Sequence, residues 1–212
     1  MGTKLIDGIE VKTDAAGRHV NDLYMTQENL TRELFTHVPI NGRICEPCAG
    51  YGHIVRVCRA WGHVTFSNDV VERPGLNFVG DAVDPAAKVW NWGPDFYDWV
   101  VTNPPFSLAF PILKTAWANA KVGVAMLLRL SFLEPTSEVP TAFRKDKWAE
   151  EMAGRGEWLE EHRANLTDML IFGSPRPSFT ITGTDSVTTA WVVWQKRRPP
   201  MGARFHFVMG WK

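Results

Sequence analysis

The sequence lacks three features that would place the protein in a specialised class. No apolar run approaches the roughly 18 residues of a membrane span, and the N-terminus, Met-Gly-Thr-Lys-Leu-Ile-Asp, has no apolar core of a secretion signal. Neither sign of charge is in excess, because Lys plus Arg and Asp plus Glu each number 23. We therefore expect neither membrane insertion nor secretion, so the cytoplasm is the expected compartment. The net charge also gives no support for non-specific binding to nucleic acid.

Two common nucleotide-binding motifs are also missing. The stretch Glu46-Pro47-Cys48-Ala49-Gly50-Tyr51-Gly52 does not have Gly-x-Gly-x-x-Gly spacing, and no Gly-Lys-Ser/Thr follows it. A nicotinamide or nucleoside-triphosphate site is therefore not favoured. The stretch joins a predicted strand to a predicted helix. Its glycines either form only a tight turn or let the backbone approach a ligand closely.

The most informative motif lies in residues 98–106, Asp-Trp-Val-Val-Thr-Asn-Pro-Pro-Phe. An apolar, β-branched run ends in Asn103-Pro104-Pro105-Phe106, and the two prolines remove backbone donors and fix φ, so neither a strand nor a helix continues through them. In open α/β sheets, ligands bind at the carboxyl ends of the strands. An amide side chain, carbonyl oxygens and an aromatic ring at such a corner can hold a flat ring that carries an amino group.

Strand-like and helix-like segments alternate along the chain, which predicts a doubly wound, mostly parallel α/β sheet. Strands are predicted at residues 43–48, 64–69, 76–79, 98–102, 122–130, 169–172, 178–182 and 187–194, the last two as a hairpin around residues 183–185. Helices are predicted at residues 27–38, with Thr26 as the N-cap, and at residues 53–61, 107–120 and 148–162. Residues 1–20 and 196–212 are predicted to be tails.

Three of the predicted strands end at an acidic residue. Glu46 lies near the end of the first strand, Asp69 ends the second, and Asp81 follows the third. Each aspartate alone is more often a helix cap or a turn residue. An acid one βα unit after a glycine-rich turn is, however, typical of a residue that binds ribose hydroxyls. Three acids at successive strand ends, with Asn103 at the fourth, indicate a ligand pocket at one edge of the sheet.

The few cysteines form a competing motif. Cys45, Cys48, His53 and Cys58 have the spacing Cys-x2-Cys-x4-His-x4-Cys, which resembles a zinc knuckle that binds single-stranded nucleic acid. However, Cys45 falls in a predicted strand, and His53 and Cys58 fall in a predicted helix. A knuckle would also leave Asn-Pro-Pro-Phe and the other strand-end acids unexplained. We therefore expect no metal and three reduced thiols, and keep a zinc-knuckle binding module without activity as an alternative.

The order Glu-Pro-x-Ala-Gly-x-Gly, Asn-Asp, Gly-Asp-Ala, Asn-Pro-Pro-Phe resembles the S-adenosylmethionine-dependent methyltransferases that methylate an exocyclic amine. The resemblance is greatest to the small adenine-N6 DNA methyltransferases of bacteriophages and prophages, and residues 128–134, 176–179 and 184–194 are also similar to that group. It covers residues 21–195. It implies a Rossmann-like class I methyltransferase fold, with a mostly parallel seven-stranded sheet closed by an antiparallel hairpin.

The resemblance also implies a cofactor pocket for S-adenosylmethionine. Asp69 would accept hydrogen bonds from the ribose hydroxyls, and Asp81 from the adenine amino group of the cofactor. The residues assigned to the pocket come from the first four strand ends and from the segment before the first helix: Tyr24, Met25, Thr26, Glu46, Pro47, Ala49, Gly50, Gly52, Asp69, Asp81, Ala82 and Asn103.

The same resemblance implies a catalytic corner formed by Asn103, Pro104, Pro105 and Phe106. Asn103 and Pro104 would receive the target amine, and Phe106 would stack on its ring, after the adenine has been flipped out of duplex DNA. Residues 134–165, which interrupt the alternation of strands and helices, could form a target-recognition insertion. The candidate substrate contacts beyond Phe106 are Phe179, which could instead be core, and Arg144, Lys145 and Lys147, which could instead be a solvated face.

The expected activity is therefore site-specific DNA-methyltransferase (adenine-N6) activity in a bacterial or phage-infected cell. The insertion is small and the net charge is zero, so a very short recognition site or a homodimer is expected. An RNA adenine-N6 or protein-glutamine methyltransferase is the alternative among enzymes, because Asn-Pro-Pro with an aromatic residue serves those amines too. Phe rather than Tyr at position 106 favours nucleic acid.

Overall fold

The computed structural model describes residues 2–6, 9–13, 25–134, 154–177, 187–197 and 202–212, the first two segments as backbone only. The strands are β1 (Gly2–Ile6), β2 (Ile9–Thr13), β3 (Arg43–Glu46), β4 (Val64–Asp69), β5 (Phe78–Val79), β6 (Tyr97–Thr102), β7 (Ala120–Arg129), β8 (Leu166–Gly173), β9 (Thr189–Gln195) and β10 (Arg204–Met209). The α-helices are α1 (Glu28–His37), α2 (His53–Ala60), α3 (Ala109–Asn119) and α4 (Arg155–Glu161).

Among the described residues, the main sheet has eight strands in the order β10-β8-β9-β7-β6-β3-β4-β5. Strands β5, β4, β3, β6 and β7 run parallel to one another, whereas β9 is antiparallel to both β7 and β8. The predicted α/β sheet with an antiparallel part is therefore confirmed. Its parallel strands place the ends of β3, β4, β5 and β6 along one edge, where the candidate site lies.

A buried core covers each face of this sheet. Successive residues of β6 alternate between the two cores: Val100 contacts one apolar cluster, while Trp99 and Val101 contact the other. Such alternation explains why the strand is apolar at nearly every position, since a strand covered on both faces has no side that faces water.

The sheet has eight strands rather than seven because the segment predicted as the C-terminal tail contains β10. This strand pairs in parallel with β8. The buried carboxylate of Asp168 accepts hydrogen bonds from Arg204 Nε at 2.9 Å and Nη2 at 3.1 Å, and His206 Nε2 lies 3.0 Å from the same carboxylate. A buried carboxylate on β8 therefore fixes the added strand. Residues 1–20, also predicted as a tail, contain the β1–β2 hairpin.

Several predicted boundaries were wrong at their ends. The first helix begins at Glu28 with Gln27 as its N-cap, so Thr26 is not the cap. After β6 the chain first forms a 3-10 turn, Phe106–Leu108, and α3 begins only at Ala109. The predicted strand at residues 178–182, its hairpin, and most of the 134–165 segment lie outside the described residues. Within the described part of the chain, no helix is long and apolar enough to cross a membrane.

Gly123 on β7 is required by close packing at the centre of the sheet. A Cβ atom at this position would lie 2.4 Å from the carbonyl oxygen of Trp194 and 2.8 Å from the indole of Trp99. We expect Gly123→Ala to lower the free energy of unfolding by about 1–3 kcal/mol, the usual cost of overpacking a core. Urea denaturation followed by tryptophan fluorescence measures this loss. An unchanged midpoint would contradict the packing described here.

Candidate active site

A cavity opens at the carboxyl ends of β3, β4 and β6. Its wall contains these residues that the sequence predicted for a ligand pocket: Met25, Thr26, Pro47, Ala49, Gly50, Asp69, Asp81, Ala82, Asn103 and Pro105. Glu46, Gly52, Pro104 and Phe106 are neighbours of this wall in the sequence but do not line it. Tyr24, Arg144, Lys145, Lys147 and Phe179 lie outside the described residues. Most of the predicted pocket is thus brought together by the fold.

Asn68, a fully buried residue, joins the two loops that border the cavity. Its Nδ2 donates to the carbonyl oxygen of Pro47 at 3.0 Å and to that of Gly80 at 2.9 Å. The backbone of Ala49 is tied to the same strand, since its N–H donates to the carbonyl oxygen of Asn68 at 2.8 Å. Asn68 was not predicted as a site residue, although its place at a strand end, next to an acid, was a usable signal.

Asp69 is the most heavily bonded acid at the cavity. Its Oδ2 accepts the N–H of Gly50 at 2.8 Å, and its Oδ1 accepts the N–H of Val71 at 2.9 Å. Gly50 has a φ of +52°, a conformation that glycine adopts without strain, and this turns its N–H toward the carboxylate. The acid therefore fixes the shape of the glycine-rich turn as well as facing the cavity.

Arg73 also binds Asp69 Oδ1 and was not predicted as a site residue. Its guanidinium forms an ion pair with the carboxylate, and its Cζ lies 5.1 Å from the centre of the Tyr51 ring. The pair is well shielded from water, with side-chain exposures of 12% and 10%. Arg73 thus closes the cavity beside the carboxylate that we predicted to bind a ribose.

Glu46, predicted to shape the cofactor pocket, has a fully buried carboxyl that does not line the cavity. Its Oε1 accepts hydrogen bonds from the Thr102 hydroxyl and from the Cys48 N–H, the latter at 3.0 Å, so it joins β3 to β6. Among the described residues, its Oε2 has no partner. Desolvation by burial raises the pKa of this carboxyl from 4.5 to about 8, so it is protonated at neutral pH.

Glu46→Gln is expected to change how stability depends on pH. The folded protein holds a proton on Glu46 that the unfolded chain releases above pH 4.5, so wild-type stability falls as pH rises from 4.5 through about 8. The loss reaches about 3 kcal/mol by pH 7. The glutamine variant lacks this titration, so its stability relative to wild type should rise between pH 5 and 8. Parallel stability curves in urea over this pH range would contradict the assignment.

Asn103, at the end of β6, presents a polar atom that has no partner. Its Nδ2 donates to the Thr26 hydroxyl at 3.0 Å, which fixes the orientation of the amide. Its Oδ1 is buried and, within the described part of the chain, accepts no hydrogen bond. An unsatisfied buried acceptor costs about 1–3 kcal/mol, so its presence at a cavity wall indicates a donor supplied by a ligand. Thr26, predicted as a helix cap, instead positions this amide.

Phe106 follows the two prolines and is half-buried. The guanidinium of Arg129, the last residue of β7, lies over its ring, with Cζ 4.4 Å from the ring centre. This distance is that of a stacked cation–π pair. Phe106 therefore lies at the predicted corner with a cation on its ring.

The cysteine motif does not form a zinc knuckle. Cys45 packs into the apolar cluster on one face of the sheet, whereas Cys58 packs into the cluster on the other face. All three cysteines are free, and no group of three or more His, Cys, Asp or Glu among the described residues is placed to hold a metal ion. Burial raises the pKa of the Cys45 thiol well above its usual range, which keeps it protonated. These thiols are packing residues.

Comparison with known proteins identifies the fold. No family model matches the sequence, and no curated protein matches it significantly. A predicted O-methyltransferase, Atu636 from Agrobacterium tumefaciens, is similar in structure at 15% identity and a TM-score of 0.52, over 87% of this chain and 88% of that one. A candidate hemolysin from Lactococcus lactis is similar at 14% identity and a TM-score of 0.54, over 85% and 94%. The chain has a methyltransferase-like α/β fold. At these identities the likeness shows the fold alone.

Proposed function

We propose that this protein transfers the methyl group of S-adenosylmethionine to the exocyclic N6 of adenine in DNA. The observation that carries the proposal is Asn103, whose Oδ1 is a buried acceptor without a partner in the part of the chain described, at the wall of the cavity. An acceptor of this kind suits an amine whose N–H groups donate hydrogen bonds. The likeness to a predicted O-methyltransferase supports methyl transfer as the class of reaction.

The residues around the cavity fit S-adenosylmethionine. The Asp69 carboxylate can accept from ribose hydroxyls once Arg73 moves aside, and the exposed side chains of Val70 (63% exposed) and Val71 (37% exposed) follow it as an apolar surface for a purine. Asp81 is already a hydrogen-bond acceptor, since its Oδ1 receives the N–H of Val83 at 2.9 Å. When bound, the cofactor supplies a methyl group activated by a sulfonium.

Asn103 and Pro104 activate the amine by accepting its protons. The lone pair of adenine N6 is delocalised into the ring, so the nitrogen is a poor nucleophile. The Asn103 Oδ1 and the Pro104 carbonyl oxygen each accept a hydrogen bond from one N–H of the amine. These hydrogen bonds favour a tetrahedral nitrogen with an available lone pair. Transfer of the methyl group to this nitrogen would leave S-adenosylhomocysteine, and the methylated nitrogen would lose one proton to water. Because the acceptors are fixed in advance, little reorganisation is needed.

Phe106 would hold the adenine ring after the base has been flipped from the duplex, at a cost of a few kcal/mol. Phe179 stays a prediction for a second aromatic contact, as do Arg144, Lys145 and Lys147 for DNA binding. A very short recognition site, a homodimer and a location in the cytoplasm of a bacterial or phage-infected cell belong to the same proposal.

A competition assay tests the proposed substrate. Purified protein receives S-adenosylmethionine with a labelled methyl group, together with duplex DNA, total RNA and a protein mixture in one reaction. We expect the label in DNA. Label in RNA or in glutamine side chains would support the alternative amine substrates, and label on oxygen would replace the amine with a hydroxyl acceptor. Cofactor bound without transfer to any of them would contradict the proposal.

A further inference from the structure

Arg129 reaches the catalytic corner from a neighbouring strand. In the register of β6 and β7, Thr102 pairs with Met126, so β7 continues three residues beyond the end of β6. Its last residue, Arg129, pairs on the other side with Thr189 of β9. The backbone of Arg129 is thus held within the sheet, and its side chain extends beside the segment that contains Phe106.

Among the described residues, the guanidinium of Arg129 lacks the carboxylate partner that Arg73 and Arg204 have. Arg73 is paired with Asp69, and Arg204 with Asp168. By contrast, no ion pair among the described residues involves Arg129, and its buried Nε has no hydrogen-bond acceptor among them. An unpaired, partly buried guanidinium is costly, and hydrogen bonds that it makes to an anion are strong. The unpaired donors therefore indicate an anionic partner from outside the chain.

We infer that Arg129 binds a phosphodiester of the substrate strand next to the target nucleotide, a role that rests on the proposed function. The planar guanidinium matches a phosphate with paired N–H donors, and contact with the Phe106 ring fixes its plane. A base at the corner brings its own backbone phosphate within the neighbourhood of that ring. A glutamine side chain brings no such anion. Arg129 thus links the methyl-transfer corner to nucleic acid as the substrate class.

The test measures how strongly binding depends on this one charge. The probe is a duplex oligonucleotide in which the adenine methylated by wild type has been mapped. Arg129→Gln should weaken its binding about tenfold at low salt and reduce the slope of log K against log [salt] by about one. Arg129→Lys should restore most of the slope, since lysine binds phosphate as a point charge. Arg163→Gln is the matched control, because Arg163 is an exposed arginine (76%) paired with Glu160 away from the corner.

A chemical change in the DNA completes the test. A methylphosphonate that replaces a single phosphodiester beside the target adenine should weaken wild-type binding as Arg129→Gln does. The same methylphosphonate should hardly weaken the binding of Arg129→Gln to the oligonucleotide. The inference would be overturned if Arg129→Gln had the same salt slope as wild type. It would also be overturned if, at every methylphosphonate position tried, wild type and Arg129→Gln lost the same amount of binding affinity. Arg129 would then be only a support for Phe106. Failure of wild type to methylate or bind any nucleic acid would instead overturn the proposed function.

Discussion

Asn103→Ala is expected to lower the rate of methyl transfer about 10²–10³-fold while leaving affinity for S-adenosylmethionine close to that of wild type. The variant removes the buried Oδ1 that would accept one N–H of the target amine. The cofactor pocket keeps the carboxylates of Asp69 and Asp81. Single-turnover transfer to DNA measures the rate, and isothermal titration calorimetry measures cofactor binding.

Thr26 supplies a matched pair of variants for the same account. Thr26→Val removes the hydroxyl that holds Asn103 Nδ2 at 3.0 Å, so the amide can rotate and the rate should fall, though less than in Asn103→Ala. Thr26→Ser keeps the hydroxyl and should transfer at nearly the wild-type rate. If Asn103→Ala turned over at the wild-type rate, the proposed role of Asn103 in the mechanism would be contradicted.

Asp69→Asn is expected to weaken binding of S-adenosylmethionine about 10- to 100-fold, because hydrogen bonds from the ribose to a charged acceptor contribute about 1.5–3 kcal/mol. The substitution keeps the size of the side chain but removes its charge. It also places the amide NH2 group of the asparagine against the backbone N–H of Gly50 or Val71, so that two hydrogen-bond donors face each other. Calorimetric titration with the cofactor and with S-adenosylhomocysteine measures the change.

Arg73→Met is expected to strengthen binding of S-adenosylmethionine, the opposite of the effect of Asp69→Asn. In the structure Arg73 occupies Asp69 Oδ1 and lies over Tyr51, so a ribose must displace it. Methionine has a similar length but no charge, so the affinity of the Arg73→Met variant for the cofactor should rise a few-fold. Weaker binding in Arg73→Met, of the size seen in Asp69→Asn, would show that the guanidinium contributes to the ligand site rather than competing for it.

The sequence predicted the parts of the fold that depend on local pattern. Strand β4 has the predicted bounds, and β6 differs by a single residue, because short runs that contain β-branched and aromatic residues and are bounded by turns favour strands. β10 was missed because its alternation, Arg-Phe-His-Phe-Val-Met, is short and its anchor, Asp168, lies far away in the sequence. A long-range ion pair cannot be deduced from a local pattern.

The candidate site divides in the same way. Asp69, Asp81 and Asn103 could be predicted because each ends or follows a strand, and parallel strands bring such ends together. Glu46 shares this position, but its side chain is buried away from the cavity wall and accepts a hydrogen bond from Thr102 on the neighbouring strand. Arg73 and Arg129 carry no sequence signal of their own, since their roles follow from which carboxylate or ring lies beside them.

The most direct test of the proposed chemistry is identification of the methylated nucleoside. DNA treated with the protein and S-adenosylmethionine is digested to nucleosides and analysed by mass spectrometry, with the Asn103→Ala variant as the control reaction. We predict N6-methyl-2′-deoxyadenosine in the wild-type reaction and almost none in the control. A methylated cytosine, a methyl group on another position of adenine, or unmodified DNA from a protein that binds the cofactor would contradict it.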